Sequence, residues 1–151
     1  MTAESARGVP ERQEVPGSYG YALSVDLEEW YHTCWARDYV EPCRRPSLIE
    51  EIPRLVPKLL EDLAVAGARA TFFVLGEIAA AHPRSIRAIA DAGHEIASHN
   101  WLHQRADWVS SGEFRSQAER SKRFLEDLTG LPVRGFRAPE WSLRAPDHPG
   151  L

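Results

Sequence analysis

Sulfur is scarce in this sequence, with two cysteines and one methionine among 151 residues. Cys34 and Cys43 stand nine positions apart, so there is no CxxC pattern for metal or redox chemistry, and two cysteines make no disulfide framework. Both are expected to be buried or idle thiols. A basic excess is also absent: 18 Lys and Arg stand against 22 Asp and Glu, a net charge of −4. That balance argues against a phosphate-tracking surface for nucleic acid. Residues 1–18, MTAESARGVPERQEVPGS, are polar and lack the apolar centre of a signal peptide or a membrane span. They are expected to form a flexible tail, and a cytoplasmic location is the matching expectation. Repeats and low-complexity tracts are missing too.

What is present suits one globular domain with its own core: 43% hydrophobic and 26% charged residues. Residues 21–27, YALSVDL, read as a short apolar strand that runs into acids. Ser47 and Glu50 form a capping-box signature ahead of Ile52, Val56, Leu59, Leu60 and Leu63, which recur at helical spacing up to Gly67. Pro53 and Pro57 predict a kink or a restart in that helix. A second strand is expected over 68–76, ARATFFVLG, and short helical material broken near Pro83 over 77–92. A third strand follows at 94–99, HEIASH. Residues 111–129 carry Phe114, Ala118, Leu125 and Leu128 on one helical face before Gly130, and 133–139, VRGFRAP, read as a fourth strand. Strands alternating with helices imply an α/β fold with a parallel sheet and crossover helices.

In such sheets ligands collect at the carboxyl ends of the strands. The polar clusters fall at those ends: Asp26 and Glu28, then His99 and His103, then Arg137. His99 and His103 are four apart, which on a helical turn would put both imidazoles on one face, within reach of one metal ion. Asn100 stands where a zincin would carry its glutamate, so that protease class is disfavoured. Asp26 and Glu28 are two apart and would share a face if the strand continued. A carboxylate with two histidines is a common open site for a divalent ion. Arg137 could hold a carboxylate through a bidentate charge-assisted contact, and the turn after Pro139 could aim a backbone N–H into the same pocket. Each residue also has a plainer reading, as a solvated loop acid, a half-buried histidine or a surface arginine. Their joint position at consecutive strand ends is what favours a site.

Four segments in this order, SVDLEEW, ATFFVLG, AGHEIASHNWLH and GFRAPEWS, resemble the polysaccharide deacetylase family of chitin and peptidoglycan N-deacetylase-like carbohydrate esterases. VDLEEWYH is most similar to the branch associated with exopolysaccharide biosynthesis. The resemblance implies that Asp26 is the general base, that Glu28, His99 and His103 are metal ligands, and that Arg137 orients the base. Glu29 stands as the substitute for Glu28, because Leu27 separates the acids that many members carry as an adjacent pair. Trp30 and Trp141 could stack on a sugar face, and a backbone N–H near Glu140 could hold an oxyanion. A divalent ion, zinc by first choice, is the implied cofactor, and a polysaccharide or oligosaccharide bearing N-acetyl groups is the implied substrate.

The family's later acidic and aromatic motif, and the histidine that protonates the leaving amine, have no counterpart here. His148 comes too early in the motif order for that role. The resemblance therefore implies a truncated member, with residues 19–151 forming the N-terminal part of an irregular (β/α) barrel. Two other readings are compatible with the residues. One is a related hydrolase of small cyclic amides or ureides; the other is a carbohydrate-binding or vestigial product without catalysis.

Overall fold

A computed structural model describes residues 20–37, 39–40 and 50–143. The expected tail, Cys43, the Ser47 capping signature and His148 lie outside the described residues. Three strands, β1 (Leu23–Leu27), β2 (Ala70–Val74) and β3 (Glu95–Ser98), form a parallel sheet in the order β1-β2-β3. Among the described residues five helices accompany them: α1 (Cys34–Arg37), α2 (Ile52–Val65), α3 (Gly76–Ala81), α4 (Pro83–Asp91) and α5 (Ser111–Thr129). This is the parallel α/β arrangement that the alternating pattern predicts.

Period-two alternation divides the two faces of the sheet. On β2, Ala70, Phe72 and Val74 are buried and join a core with Ile52, Val56, Leu63, Ile78, Ile86, Ile89, Ile96 and Leu125 from the helices and β3. Each such side chain contributes on the order of 1.5–3 kcal/mol by leaving water. Ser24, Asp26 and Phe73 belong to the opposite face, since Asp26 pairs with Phe73 across the β1–β2 ladder. One face holds the fold together, and the other is left for polar side chains.

Two expectations need correction. The helix after residue 50 does not break at its prolines. Pro53 sits in the first turn, where N–H groups lack helical partners anyway, and Pro57 is carried inside a continuous α2. That helix starts at Ile52 with Glu51 as its N-cap, and the capping oxygen comes from afar: Glu29 Oε1 accepts from the N–H of Glu51 (2.9 Å) and of Ile52 (3.0 Å). Residues 133–139 do not extend into a fourth strand. Phe136 makes an isolated parallel bridge with Ser98, through Ser98 N–H to Gly135 O (2.9 Å) and Arg137 N–H to Ser98 O (3.0 Å). Pro139, with no N–H to give, lies in the turn that follows.

The helix expected at 111–129 is α5. Ser110 caps it by accepting from Glu113 N–H at 3.2 Å, and Gly130 closes it at φ 70°. Its buried Ser121 is satisfied by Ser98 Oγ at 3.0 Å, so α5 is fixed to the end of β3. The material expected at 77–92 forms α3 and α4, divided at His82–Pro83.

Gly76, the first residue of α3, lies under Trp101. A Cβ there would come 2.8 Å from Trp101 Cδ2. The ring cannot retreat freely, because Phe124 meets it edge-on at 5.5 Å and the Arg120 guanidinium lies 3.5 Å from its centroid. Gly76→Ala is therefore expected to lower stability by about 1–3 kcal/mol in urea unfolding, and an unchanged midpoint would contradict this packing.

Candidate metal centre

Strand β1 ends at Leu27, and the next two residues diverge. Glu28 points towards His103, with Oε2 3.1 Å from Nε2. Glu29 is 2% exposed and turns away to cap α2. The Glu29 carboxylate, the substitute ligand on sequence grounds, is thus committed to a helix terminus, where negative charge is favoured.

His99 and His103 lie on the loop after β3, not on a helical turn as their spacing suggested. Between them Asn100 adopts φ 72°, a left-handed conformation that Asn tolerates better than most residues. The reversal brings the two rings to 5.2 Å between centroids. His99 Nδ1 is 2.8 Å from the carbonyl oxygen of Arg137. A carbonyl only accepts, so Nδ1 carries the proton and Nε2 keeps a lone pair. One ligand atom from each of Glu28, His99 and His103 falls within a mutual 4.8 Å.

Burial dominates the electrostatics of the cluster. The Glu28 carboxyl is pushed up to about 7, by burial first and then by the charges of Asp26 and Glu140. His103 is pushed down to about 4, chiefly by burial and then by His99, against the opposing pull of Glu140, the His32 main chain and Asp26. Burial also lowers His99, while its bond to the Arg137 carbonyl works the other way. The donor set suits a divalent ion. Among the described residues Glu28 Oε2 is buried without a hydrogen-bond partner, 3.1 Å from His103 Nε2. Two neutral imidazoles and one carboxylate are the borderline ligands that zinc and its neighbours accept.

Beside the cluster Arg137 reaches back across the sheet. Its Nη1 donates to Asp26 Oδ1 at 2.5 Å and its Nη2 to Ser24 Oγ at 2.9 Å. The fork is shared between two residues, so the contact with Asp26 is not the bidentate one expected. The guanidinium lies between Phe73, 4.0 Å from the ring centroid, and Trp141, at 4.7 Å. Glu140 and Trp141 follow in left-handed backbone, at φ 54° and 51°. The Trp141 N–H closes onto Ala138 O at 3.1 Å, so that amide serves the turn. Trp141 is 75% exposed and Trp30 48%. Ser24 and Phe73 were not singled out from the sequence. The signal was there in the alternation that sets Ser24 on the face of Asp26, with Phe73 opposite.

The fold and this cluster define an α/β protein with a mixed carboxylate–imidazole centre beside an aspartate–arginine pair. Residues 46–145 match the polysaccharide deacetylase family, and the chain belongs to that family. It is 27% identical over 135 residues to a peptidoglycan-N-acetylglucosamine deacetylase of Bacillus cereus, covering 83% of this chain and 49% of the relative. It is 30% identical over 113 residues to a chitin deacetylase of Colletotrichum lindemuthianum, covering 68% and 46%. Among solved structures it is similar to a wild-type CE4 family pseudoenzyme from Bacillus anthracis, with a TM-score of 0.64 and 26% identity over 87% of this chain and 39% of that one. A mutant of a CE4 family pseudoenzyme with restored enzymatic activity matches at a TM-score of 0.61 and 28% identity, over 82% of this chain and 37% of that one. The chain thus spans about half or less of the relatives it matches.

The raised Glu28 carboxyl gives a signed prediction. Around pH 6 Glu28 is mostly protonated while His103, held near 4, is neutral, so an entering ion must displace the Glu28 proton. Affinity for Zn²⁺ should rise with pH through about 7 and then level off. Calorimetry in buffers of different ionisation enthalpy should find more proton release near pH 6 than near pH 8, as the Glu28 carboxyl ionises through about 7. Equal proton release at both would contradict the shift.

Proposed function

We propose that this chain carries the metal-binding and base-bearing part of a hydrolase that removes acetyl groups from N-acetylated sugars in a polysaccharide. The observation that carries the reading is the meeting, on one face of the sheet, of Glu28, His99 and His103 with the Asp26–Arg137 pair. Membership of the polysaccharide deacetylase family supports it, as do relatives named for peptidoglycan and chitin.

In this reading Glu28, His99 and His103 hold a divalent ion, zinc by the character of its ligands. The ion supplies Lewis acidity towards an acetyl carbonyl and makes a water more acidic. Asp26 is the general base. Arg137 engages its Oδ1, so proton transfer falls to Oδ2. Arg137 is in turn kept in line by Ser24 and by the stacked rings of Phe73 and Trp141. The exposed rings of Trp30 and Trp141 offer apolar faces to a sugar, and the charge of Glu140, a candidate substrate contact, acts on Glu28 and both histidines.

A second reading, glycan binding without catalysis, is favoured by the likeness to a CE4 family pseudoenzyme. Acetate release separates the two. With zinc and an N-acetylglucosamine oligomer, the chain is expected to release acetate slowly, since no described residue is assigned the protonation of the leaving amine, and Asp26→Asn to lower that release by about 10²–10⁴-fold with zinc uptake unchanged. Glycan binding without acetate from the parent protein would favour the second reading, and Asp26→Asn acting at the parental rate would remove Asp26 from the role of base.

A further inference from the structure

His32 and Glu77 do not belong to the cluster, yet together they connect its two halves. The acidic half is the end of β1, which carries Glu28. The imidazole half is the loop after β3, which carries His99 and His103. No strand joins them directly, since β2 lies between β1 and β3.

His32 ends the 3-10 turn Trp30–His32 that follows the acids. Its ring is 5% exposed overall and lies in the protein interior. Nδ1 accepts the main-chain N–H of Glu29 at 2.9 Å, so Nε2 carries the ring proton, and that nitrogen lies 3.3 Å from Glu77 Oε1. Glu77 is in the first turn of α3 and faces the other way through its backbone. Its N–H donates to Trp101 O at 3.1 Å, and the N–H of Gly76 donates to Asn100 O at 2.9 Å. Asn100 and Trp101 are two of the three residues between the two histidines. A short path therefore runs from the backbone beside Glu28, through the His32 ring and the Glu77 side chain, to the backbone between His99 and His103. Glu29 anchors the near end by its carboxylate on the N-terminus of α2.

We infer that Glu77 and His32 form a cross-brace between the acid turn and the histidine loop, positioning residues that hold Glu28 at ligand distance from His103. The inference rests on the reading of Glu28, His99 and His103 as metal ligands. Partners of this kind, one step behind the ligands, typically change metal affinity by about 10–100-fold when removed.

The test is Co²⁺ titration of the metal-free full chain, followed by the ligand-field absorption of the bound ion, with thermal unfolding of each metal-free variant alongside. Glu77→Ala removes the carboxylate and keeps the backbone bond to Trp101. It is expected to weaken Co²⁺ binding about 10-fold or more and to alter the spectrum. Glu77→Gln keeps an acceptor for His32 and is expected to restore most of the affinity. His32→Asn keeps an acceptor near Nδ1 but cannot reach Glu77, so it should match Glu77→Ala, and the double variant should lose no more than either single one. A merely structural pair would lower the unfolding temperature and leave affinity and spectrum alone, which would overturn the inference. So would Glu77→Gln binding as weakly as Glu77→Ala, or additive losses in the double variant. His99→Ala marks the underlying reading: if the parent takes up no Co²⁺, or His99→Ala binds as the parent does, that reading fails and the cross-brace falls with it. Loss in His99→Ala with parental binding in Glu77→Ala overturns the cross-brace alone.

Discussion

The site depends on Arg137 being attached at both ends. Its carbonyl oxygen accepts a hydrogen bond from His99 Nδ1–H, and its guanidinium donates to Asp26 and Ser24. One residue thereby sets the tautomer of an imidazole on one loop and the direction of a carboxylate on a strand two positions away in the sheet. The attachment is possible because the segment carrying Arg137 is fixed beside β3 by the bridge at Ser98. If that segment moved, His99 and Asp26 would lose their orientation together. Phe73 and Trp141 on either side of the guanidinium narrow its freedom further. A lysine could not make the forked contact, since its ammonium is a point charge on a flexible stem.

The Glu28–His99–His103 cluster is a costly arrangement. His99, Asn100 and His103 are all nearly or fully buried, and neither polar atom of the Asn100 side chain has a hydrogen-bond partner among the described residues. Glu28 resists ionisation and His103 resists protonation for the same reason, loss of water. Burial of this kind destabilises a fold unless a ligand or a network offsets it. The surrounding structure carries the load: a close-packed core on one face of the sheet, the Glu29 cap on α2, and the Ser98–Ser121 bond beneath the histidine loop. Backbone in the left-handed region at Asn100, Glu140 and Trp141 sits in the two loops that frame the cluster, where strain tends to collect at functional sites.

Much of this was legible in the sequence, for identifiable reasons. Apolar runs of the right length announce β1, β2 and β3, and helical spacing announces α2 and α5. Polar residues at the ends of those runs point to the face where ligands gather. The division of labour between Glu28 and Glu29 was not legible. The two-residue period of β1 stops at Leu27, and Glu29 acquires its partner only because the start of α2 returns to that strand end, 22 positions later in the chain. The spacing of His99 and His103 suggested a helical turn, whereas the structure uses a loop. The clue was Asn100, a residue that accepts positive φ. The fourth strand failed because a short segment bounded by Pro132 and Pro139 supports one bridge and little more. The sharing of the Arg137 fork with Ser24 depended on register, which pattern alone does not supply.

The central claim is that Glu28, His99 and His103 are the ligands of one divalent ion and that Glu29 is not. Crystals grown with Zn²⁺, with anomalous diffraction data collected above and below the zinc absorption edge, test it most directly. The account predicts a single strong anomalous peak about 2.0–2.2 Å from a Glu28 carboxylate oxygen and from the Nε2 atoms of His99 and His103, with Glu29 still capping α2. A peak ligated by Glu29, a peak away from the two imidazoles, or no peak at saturating zinc would contradict it.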